Sequence, residues 1–327
     1  MGKTERRIIG FDLGGTKMMA GLIDEKFKVL AREKKKTRGK DDKEDTFDRM
    51  VKVIEALLKN NDLEAKDIAG IGIGSPGPLN PETGVIGNTP NLGWNNFPLR
   101  DKMKKAIGVP VALGNDVDMG TYGEVSFGAA KGGRHVLGVF PGTGIGGGLV
   151  IDGTVHLGAS GAAAEIGHVC LDPNGPRCGC GNRGCLEAYA SRPAITGRAA
   201  AIAMRGDAPA LAKDAGTGLK NIRSKALARS IEAGDKLVEE VVRDAASKIG
   251  LVIGGLVNVL SPDTVVLGGG LVEALPDLFV EEVKAMVKRT GLPEIAKCVK
   301  VVPAKLGDDA VMMGAARLIA NQLDIQK

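Results

Sequence analysis

Two stretches of the chain repeat one another. IIGFDLGGTKMMAGLID (8–24) and VLGVFPGTGIGGGLVID (136–152) align without a gap, so that Ile9 falls on Leu137, Gly10 on Gly138, Gly14 on Gly142 and Asp24 on Asp152. Each is an apolar run, a Gly/Thr turn, a second apolar run and an acid. The interval is too long for a solenoid, whose units repeat every 20–50 residues or so. Two copies of one fold half account for it; a chance likeness between two glycine-turn hairpins is the competing explanation. Each unit reads as strand, turn, strand, and a third short strand is expected in FKVLAREKKK (27–36) and in TVHLGA (154–159).

The remainder fits an α/β protein. At 327 residues the chain is long for one core, and two domains are expected. Glycine at 48 residues with aromatics at only 3% favours many tight turns over a β-sandwich. Phe47, Met50, Val51, Ile54 and Leu57–Leu58 recur at helical spacing behind an N-cap at Asp45 or Thr46. IAGIGIGSPGP (68–78) reads as a buried strand running into a Pro/Gly loop, followed by a helix near 98–107 and the strand VPVALGND (109–116). Helices are expected over roughly 186–205, 208–215 and 221–255, strands in SPDTVVLGGGL (261–271) and CVKVVPAKL (298–306), and a last helix over 308–323. Strands alternating with helices imply a mixed or parallel sheet.

Charge and hydropathy narrow the classes of function. The net charge of +5 is mild, and the basic stretch AREKKKTRGKDDKED (31–45) also carries acids and has no interleaved aromatics, so no nucleic acid partner is expected. MGKTERRIIGFD has no apolar core of a signal peptide, and IGLVIGGLVNVL (249–260) is too short for a span of about 20 residues. No membrane partner and a cytoplasmic location are therefore expected. In that compartment disulfides are rare, and clustered cysteines point to metal.

Three turns suit phosphate. DLGGT (12–16), GTGIGGG (142–148) and GGG (268–270) each follow an apolar strand. Phosphate binding needs backbone N–H groups turned into one concavity, with no side chain in the way and φ > 0 at several positions; glycine meets both demands. Gly14, Gly15, Gly142, Gly144, Gly146 and Gly269 are the candidates, with Thr16, Lys17 and Thr143 beside them. Asp12, at a strand end, suits Mg²⁺ held through water, or else caps the turn. There is no G-x-x-x-x-G-K-[ST], so the chain is no P-loop enzyme. GTGIGGGLVIDG runs from strand to strand, whereas a Rossmann fingerprint opens a helix.

Four of the five cysteines fall in HVCLDPNGPRCGCGNRGCLE (168–187), with one of three histidines at its head. His168, Cys178, Cys180 and Cys185 offer four N/S ligands in one loop, which suits a closed, structural, tetrahedral Zn²⁺. The intervening glycines let the chain curl around the ion. Cys170, on the apolar alternation HVCLD, is expected in the core, and Cys298 in a strand.

DLGGT near the N-terminus, the later GTGIGGG, EIGH (165–168) and CGCGNRGCLE (178–187) together resemble the ROK family of sugar kinases and sugar-responsive repressors, over essentially the whole chain. The resemblance implies the actin-like ATPase (ribonuclease H-like) fold: two duplicated α/β domains, residues 1–117 with 308–327 and residues 118–307, the second carrying the zinc loop. ATP and Mg²⁺ would lie in the cleft between them. In LGNDVDM (113–119) an amide and a carboxylate open a helix and, taken alone, read as an N-cap or as a grip for hydroxyls. Matched to the family's N-D motif, Asp116 becomes the catalytic base and Asn115 a sugar ligand. By the same resemblance Glu165 and Glu187 bind sugar hydroxyls, and His168 binds sugar through one ring nitrogen and metal through the other. Gly77 in GSPGPLNPETG (74–84) and Asn91 in PNLGW (90–94) are further sugar contacts, or simply turn residues.

The implied activity is ATP-dependent phosphorylation of glucose to glucose 6-phosphate by a homodimer. Kinases for N-acetylmannosamine, N-acetylglucosamine, fructose, mannose or allose, and a polyphosphate-using glucokinase, are the alternatives. A sugar-sensing transcription regulator is the distant one, since DLGGT begins at residue 12 and leaves no room before it for a helix-turn-helix.

Overall fold

The computed structural model describes residues 6–37, 45–89 and 92–325. β1 (Arg7–Leu13) turns back through DLGGT as β2 (Lys17–Ile23) and again as β3 (Val29–Lys36). Strand alternation sends Ile9, Phe11 and Leu13 to one face, where α1 (Thr46–Lys59) covers them with Met50, Val53, Ile54 and Leu57. Asp45 caps that helix, its carboxylate accepting from Phe47 N. β4 (Ile68–Ser75) runs parallel to β1. A short hairpin of β5 (Leu79–Asn80) and β6 (Val85–Ile86), then α2 (Leu99–Ile107), lead to β7 (Val111–Asn115). The first sheet has the order β3-β2-β1-β4-β7.

After α3 (Asp116–Phe127) the pattern begins again with β8 (Val136–Pro141), β9 (Ile145–Ile151) and β10 (Thr154–Val155). A helical stretch follows: α4 (Leu186–Ala190), α5 (Arg192–Met204), α6 (Pro209–Ala215), α7 (Ser224–Glu232) and α8 (Lys236–Leu260). β11 (Thr264–Leu267) is followed by α9 (Gly269–Ala274), α10 (Pro276–Thr290), α11 (Pro293–Ala296), β12 (Lys300–Pro303) and finally α12 (Ala310–Gln322). The second sheet has the order β10-β9-β8-β11-β12, the topology of the first.

Two expected helices are each divided. The run over 186–205 breaks at Ser191, whose extended backbone lets Pro193 sit in the first turn of α5. The run over 221–255 breaks at Gly234, with φ +99°. The third strand of the second hairpin shrinks to Thr154–Val155. β11 stops at Leu267 because the glycines after it already open α9. α10 answers no expected helix, although Leu278, Phe279, Val283 and Val287 are its buried, helically spaced face.

Equal topology makes the repeat a duplication of the fold, but the register corrects its alignment. Leu13 pairs with Met18 in the first hairpin, and Pro141 pairs with Ile145 in the second. The second turn is thus one residue shorter. Beyond it Gly21, opposite Gly10, corresponds to Gly148, opposite Gly138, rather than to Leu149. Asp24 and Asp152 are not equivalent positions.

The two halves also exchange covers. α12 follows the second sheet yet lies on the first, where Met312, Ala316 and Ile319 join Ile8 and Met19. α3 follows the first sheet yet lies on the second, where Tyr122 and Val125 join Val136, Val150 and Val266. The two helices cross with their backbones nearly touching. A Cβ on Gly123 would stand 2.2 Å from Ala310 O, and one on Gly314 1.8 Å from Met119 O, so only glycine fits. The crossing brings Asp116, at the start of α3, beside Asp12 of β1.

Candidate active site

The two hairpin turns carry the glycines from one half each. Space in front of Gly15 is open, and the first atom a Cβ on Gly142 would meet is 4.0 Å away. The other turn glycines are demanded by close neighbours. A Cβ on Gly14 would lie 2.7 Å from Lys17 O, on Gly144 2.5 Å from Glu187 Oε2, and on Gly146 2.6 Å from Val117 Cγ2. The expected positive φ is found only at Gly269, at +78°. A hairpin whose strands pair up to the turn leaves the other five glycines in ordinary backbone, so contact rather than dihedral selects Gly14, Gly144 and Gly146, and neither demands glycine at Gly15 or Gly142.

A cavity of about 550 Å³ joins the turns: Thr16 of the first and Thr143 of the second line it together with Arg192, Lys220 and Arg223. Arg192 is held there twice. Its backbone N–H donates to Gly142 O at 2.9 Å, and its guanidinium donates to Thr143 Oγ1 at 2.7 Å. Three cations, with the hydroxyls of Thr16 and Thr143 among them, suit a polyphosphate tail. Lys17, expected in that company, is instead ion-paired with Asp308 at 2.5 Å. Arg192 carried no sequence signal, because its partner Thr143 lies far back in the chain.

A second cavity, of about 210 Å³, is lined by Asp12, Asp116, Gly269 and Asp308. Burial pushes the Asp12 carboxyl up to about 7; the neighbouring Asp116 adds to the rise and Lys17 opposes it. A divalent cation would favour the charged form of Asp12, and a buried carboxylate among other acids is the donor set Mg²⁺ takes. Burial also raises Asp116, against the hydrogen bond its Oδ1 accepts from Val117 N at 2.9 Å.

The third cavity, of about 320 Å³, brings together Gly77, Asn115, Glu165 and His168, four of the expected sugar residues. Asn115 caps α3, its Oδ1 accepting from Val117 N at 2.8 Å. A Cβ on Gly77 would stand 3.2 Å from Asn115 Nδ2, so the Gly77 loop closes on the amide. Asp118, unmarked in the sequence, lines the same cavity. Glu187 is held apart from it: Oε2 accepts from Ile145 N at 2.9 Å, and Oε1 lies 3.7 Å from Cys178 Sγ. Glu187 thereby ties the cysteine loop to the second glycine turn. Asn91 lies outside the described residues.

His168, Cys178, Cys180 and Cys185 converge, their ligand atoms all within 4.8 Å of one another. Cys178 Sγ is 3.7 Å from His168 Nδ1, and Cys180 Sγ is 3.7 Å from Cys185 Sγ. Zinc–sulfur bonds of about 2.3 Å at tetrahedral angles require sulfurs roughly 3.8 Å apart, so the set fits Zn²⁺. With Nδ1 turned to the thiols, Nε2 is the nitrogen left for a second partner. Cys185 also N-caps α4, which carries Glu187. Cys170 is exposed rather than in the core, because the cysteine loop lies on the surface, where the Cys170 thiol lies 3.6 Å from Arg183 O. Cys298 is exposed ahead of β12, near Glu294 O.

Comparison with known proteins agrees with this architecture. Residues 8–322 match the ROK family. The chain is 35% identical to the glucokinase of Thermotoga maritima, over 97% of this chain and 98% of that one. Among solved structures it is similar to a ROK family glucokinase from Streptomyces griseus in complex with glucose and AMPPNP, with a TM-score of 0.82 and 30% identity over 97% of this chain and 99% of that one. It is also similar to a ROK family transcriptional regulator, a homologue of the E. coli MLC protein, with a TM-score of 0.85 and 26% identity over 98% of this chain and 78% of that one. A family match over nearly the whole length, with 35% identity across nearly all of both chains, means that the chain belongs to the ROK family.

Proposed function

We propose that this chain transfers the γ-phosphoryl group of ATP to the 6-hydroxyl of glucose. The observation that carries the reading is the division between two consecutive residues. Asn115 lines the cavity with Glu165 and His168, while Asp116 lines the one with Asp12 and Gly269. A base at that junction meets a hydroxyl from one side and a phosphoryl group from the other. The glucokinase from Thermotoga maritima and the glucose complex from Streptomyces griseus support glucose as the acceptor.

Asp116 takes the hydroxyl proton as the sugar oxygen bonds to the γ-phosphorus and the bond to ADP breaks. A loose phosphoryl-transfer transition state asks chiefly for positioning. Val117 N–H supplies it by fixing Asp116 Oδ1, and burial brings the carboxyl nearer the operating pH. Asn115, Glu165 and His168, with Gly77 and Asn91, hold the remaining hydroxyls, and Glu187 joins them on leaving Ile145 N. Gly14, Gly15, Thr16, Gly142, Thr143, Gly144, Gly146 and Gly269 line the phosphate path with Arg192, and Lys17 joins them on leaving Asp308. Asp12 would hold Mg²⁺ through water, which neutralises charge on the β- and γ-phosphates. Zn²⁺ on His168, Cys178, Cys180 and Cys185 would stiffen the loop. The lobes, residues 1–117 with 308–327 and residues 118–307, close over both substrates in a cytoplasmic homodimer.

A coupled ADP-release assay over a panel of hexoses and N-acetylhexosamines tests this, with polyphosphate as a second donor. Glucose with ATP is expected to give the highest kcat/KM. An N-acetylhexosamine better by about tenfold, 1.4 kcal/mol of discrimination, would remove glucose and leave the kinase. Sugar binding without turnover of any sugar would remove the kinase.

A further inference from the structure

Asp118 is an anomaly in the sugar-side cavity. It is the third residue of α3, and successive helical residues turn by roughly 100°. Asp116 and Asp118 therefore leave the axis on nearly opposite sides. Accordingly Asp116 lines the cavity with Asp12, and Asp118 the cavity with Asn115, Glu165 and His168. An acid in the first turn of a helix is ordinary, because the macrodipole favours it, but such acids are ordinarily solvated. Asp118 is only 5% exposed. Its Oδ1 is buried and has no hydrogen-bond partner among the described residues. The backbone N–H groups of the first turn are engaged elsewhere: Asn115 Oδ1 accepts from Val117 N and, at 3.4 Å, from Asp118 N. Burial, with Asp116 and Glu165 close by, pushes the Asp118 carboxyl up to about 7. A buried acceptor without a donor is costly, and a fold retains one where a ligand supplies the donor.

We propose that Asp118 is a sugar-binding residue whose free carboxylate oxygen accepts a hydrogen bond from a ring hydroxyl of the hexose, one other than the 6-hydroxyl. The assignment rests on the kinase reading. The 6-hydroxyl must lie at Asp116, on the other side of the helix end. Asp118 therefore reads a hydroxyl away from the reacting centre, and its bond is made equally in the ground and transition states. Removing it should raise KM and leave kcat nearly unchanged. A site built to hold one hydroxyl also rejects the sugar that lacks it.

The experiment uses the full chain, wild type, Asp118→Ala and Asp118→Asn, with glucose and its 1-, 2-, 3- and 4-deoxy analogues. Asp118→Ala is expected to raise KM for glucose by about tenfold to a hundredfold with kcat within about threefold. One deoxy analogue that the wild type discriminates against should be handled by Asp118→Ala as well as glucose is. Asn keeps a carbonyl acceptor and should recover most of the loss. The melting temperature without sugar should not fall in either variant, and the rise that glucose gives the wild type should shrink in Asp118→Ala. Unchanged KM and an unchanged deoxy pattern in Asp118→Ala would overturn the assignment while glucose turnover by the wild type upheld the kinase. If the wild type turned over no sugar, the kinase reading would fall, and the melting shift would still decide Asp118. An equal shift in wild type and Asp118→Ala, or none in the wild type, overturns it.

Discussion

Asp116 and Asp12 share a small cavity and are both held above the ordinary carboxylate range, chiefly by burial. Only the ionised forms can take a proton or hold a cation, so kcat/KM should climb with pH, the Asp12 share of the rise falling near 7 and the Asp116 share above the ordinary carboxylate range. Excess Mg²⁺ should move the Asp12 share of that rise to lower pH, since a cation favours the charged form. Asp116→Asn should lower kcat by about 10²–10⁴-fold with little change in KM; appreciable turnover by that variant would remove Asp116 as base. The stability consequence has the opposite sign. Asp12 has a folded pKa of about 7 against a reference of 3.8, so its stabilising contribution is complete below about pH 4 and is lost as pH rises through 7. Asp12→Asn removes that loss and should melt higher than the wild type at pH 8, with the gap closing towards pH 5. Parallel melting profiles would contradict the burial of Asp12. The sequence indicated the acid type at both positions, but not the burial. That burial depends on α12, which arrives some 200 residues after β7 has ended.

The cysteine loop brings His168 to the sugar-side cavity and Glu187 to the second glycine turn. Its spacing was legible because these four candidate ligands are close along the chain as well as in space, and their ligand atoms do converge. The tie from Glu187 to Ile145 N was not legible, since a long-range side-chain bond leaves no period in a sequence. α10 shows the reverse: Leu278, Phe279, Val283 and Val287 with Pro276 at the first turn carry a helical period that matches no expected element. Gly184 is the residue on which the loop turns. It has φ +70°, and a Cβ there would stand 1.6 Å from Asp172 O. Gly184→Ala should therefore lose the proposed Zn²⁺ and lower the melting temperature, measured by elemental analysis and thermal melts. Chelation of the wild type should do the same and weaken glucose binding by about 10–100-fold, because His168 and Glu187 lose their support. Full metal content in Gly184→Ala would mean that the loop tolerates a second path.

At the scale of the whole molecule the duplication does more than build two sheets. Each half ends on a helix that covers the other half, so neither sheet can bury its inner face alone, and the two should unfold together. The contact of Gly123 with α12 and of Gly314 with α3, with the hydrogen bond from Asn321 Nδ2 to Tyr122 Oη at 2.6 Å, leaves no gap for the helices to slide through and makes this crossing the joint between the halves. Glu124, on the same turn of α3, holds the other crossing of the chain: its carboxylate accepts from Lys305 N at 2.9 Å and Leu306 N at 2.7 Å. Closure of the crevice is therefore expected as a rotation about this joint. Gly314→Ala would drive a methyl into Met119 O and wedge the helices apart. Overpacking of this kind costs about 1–3 kcal/mol, and the strain falls on the axis of rotation. The variant should melt as one transition at a lower temperature and scatter X-rays as a more open particle. Its KM should rise for glucose and ATP together, because both cavities are completed by residues from each side of the joint. Two separate melting transitions, one per half, would show that the exchanged helices do not couple them, and the rotation would then need another axis.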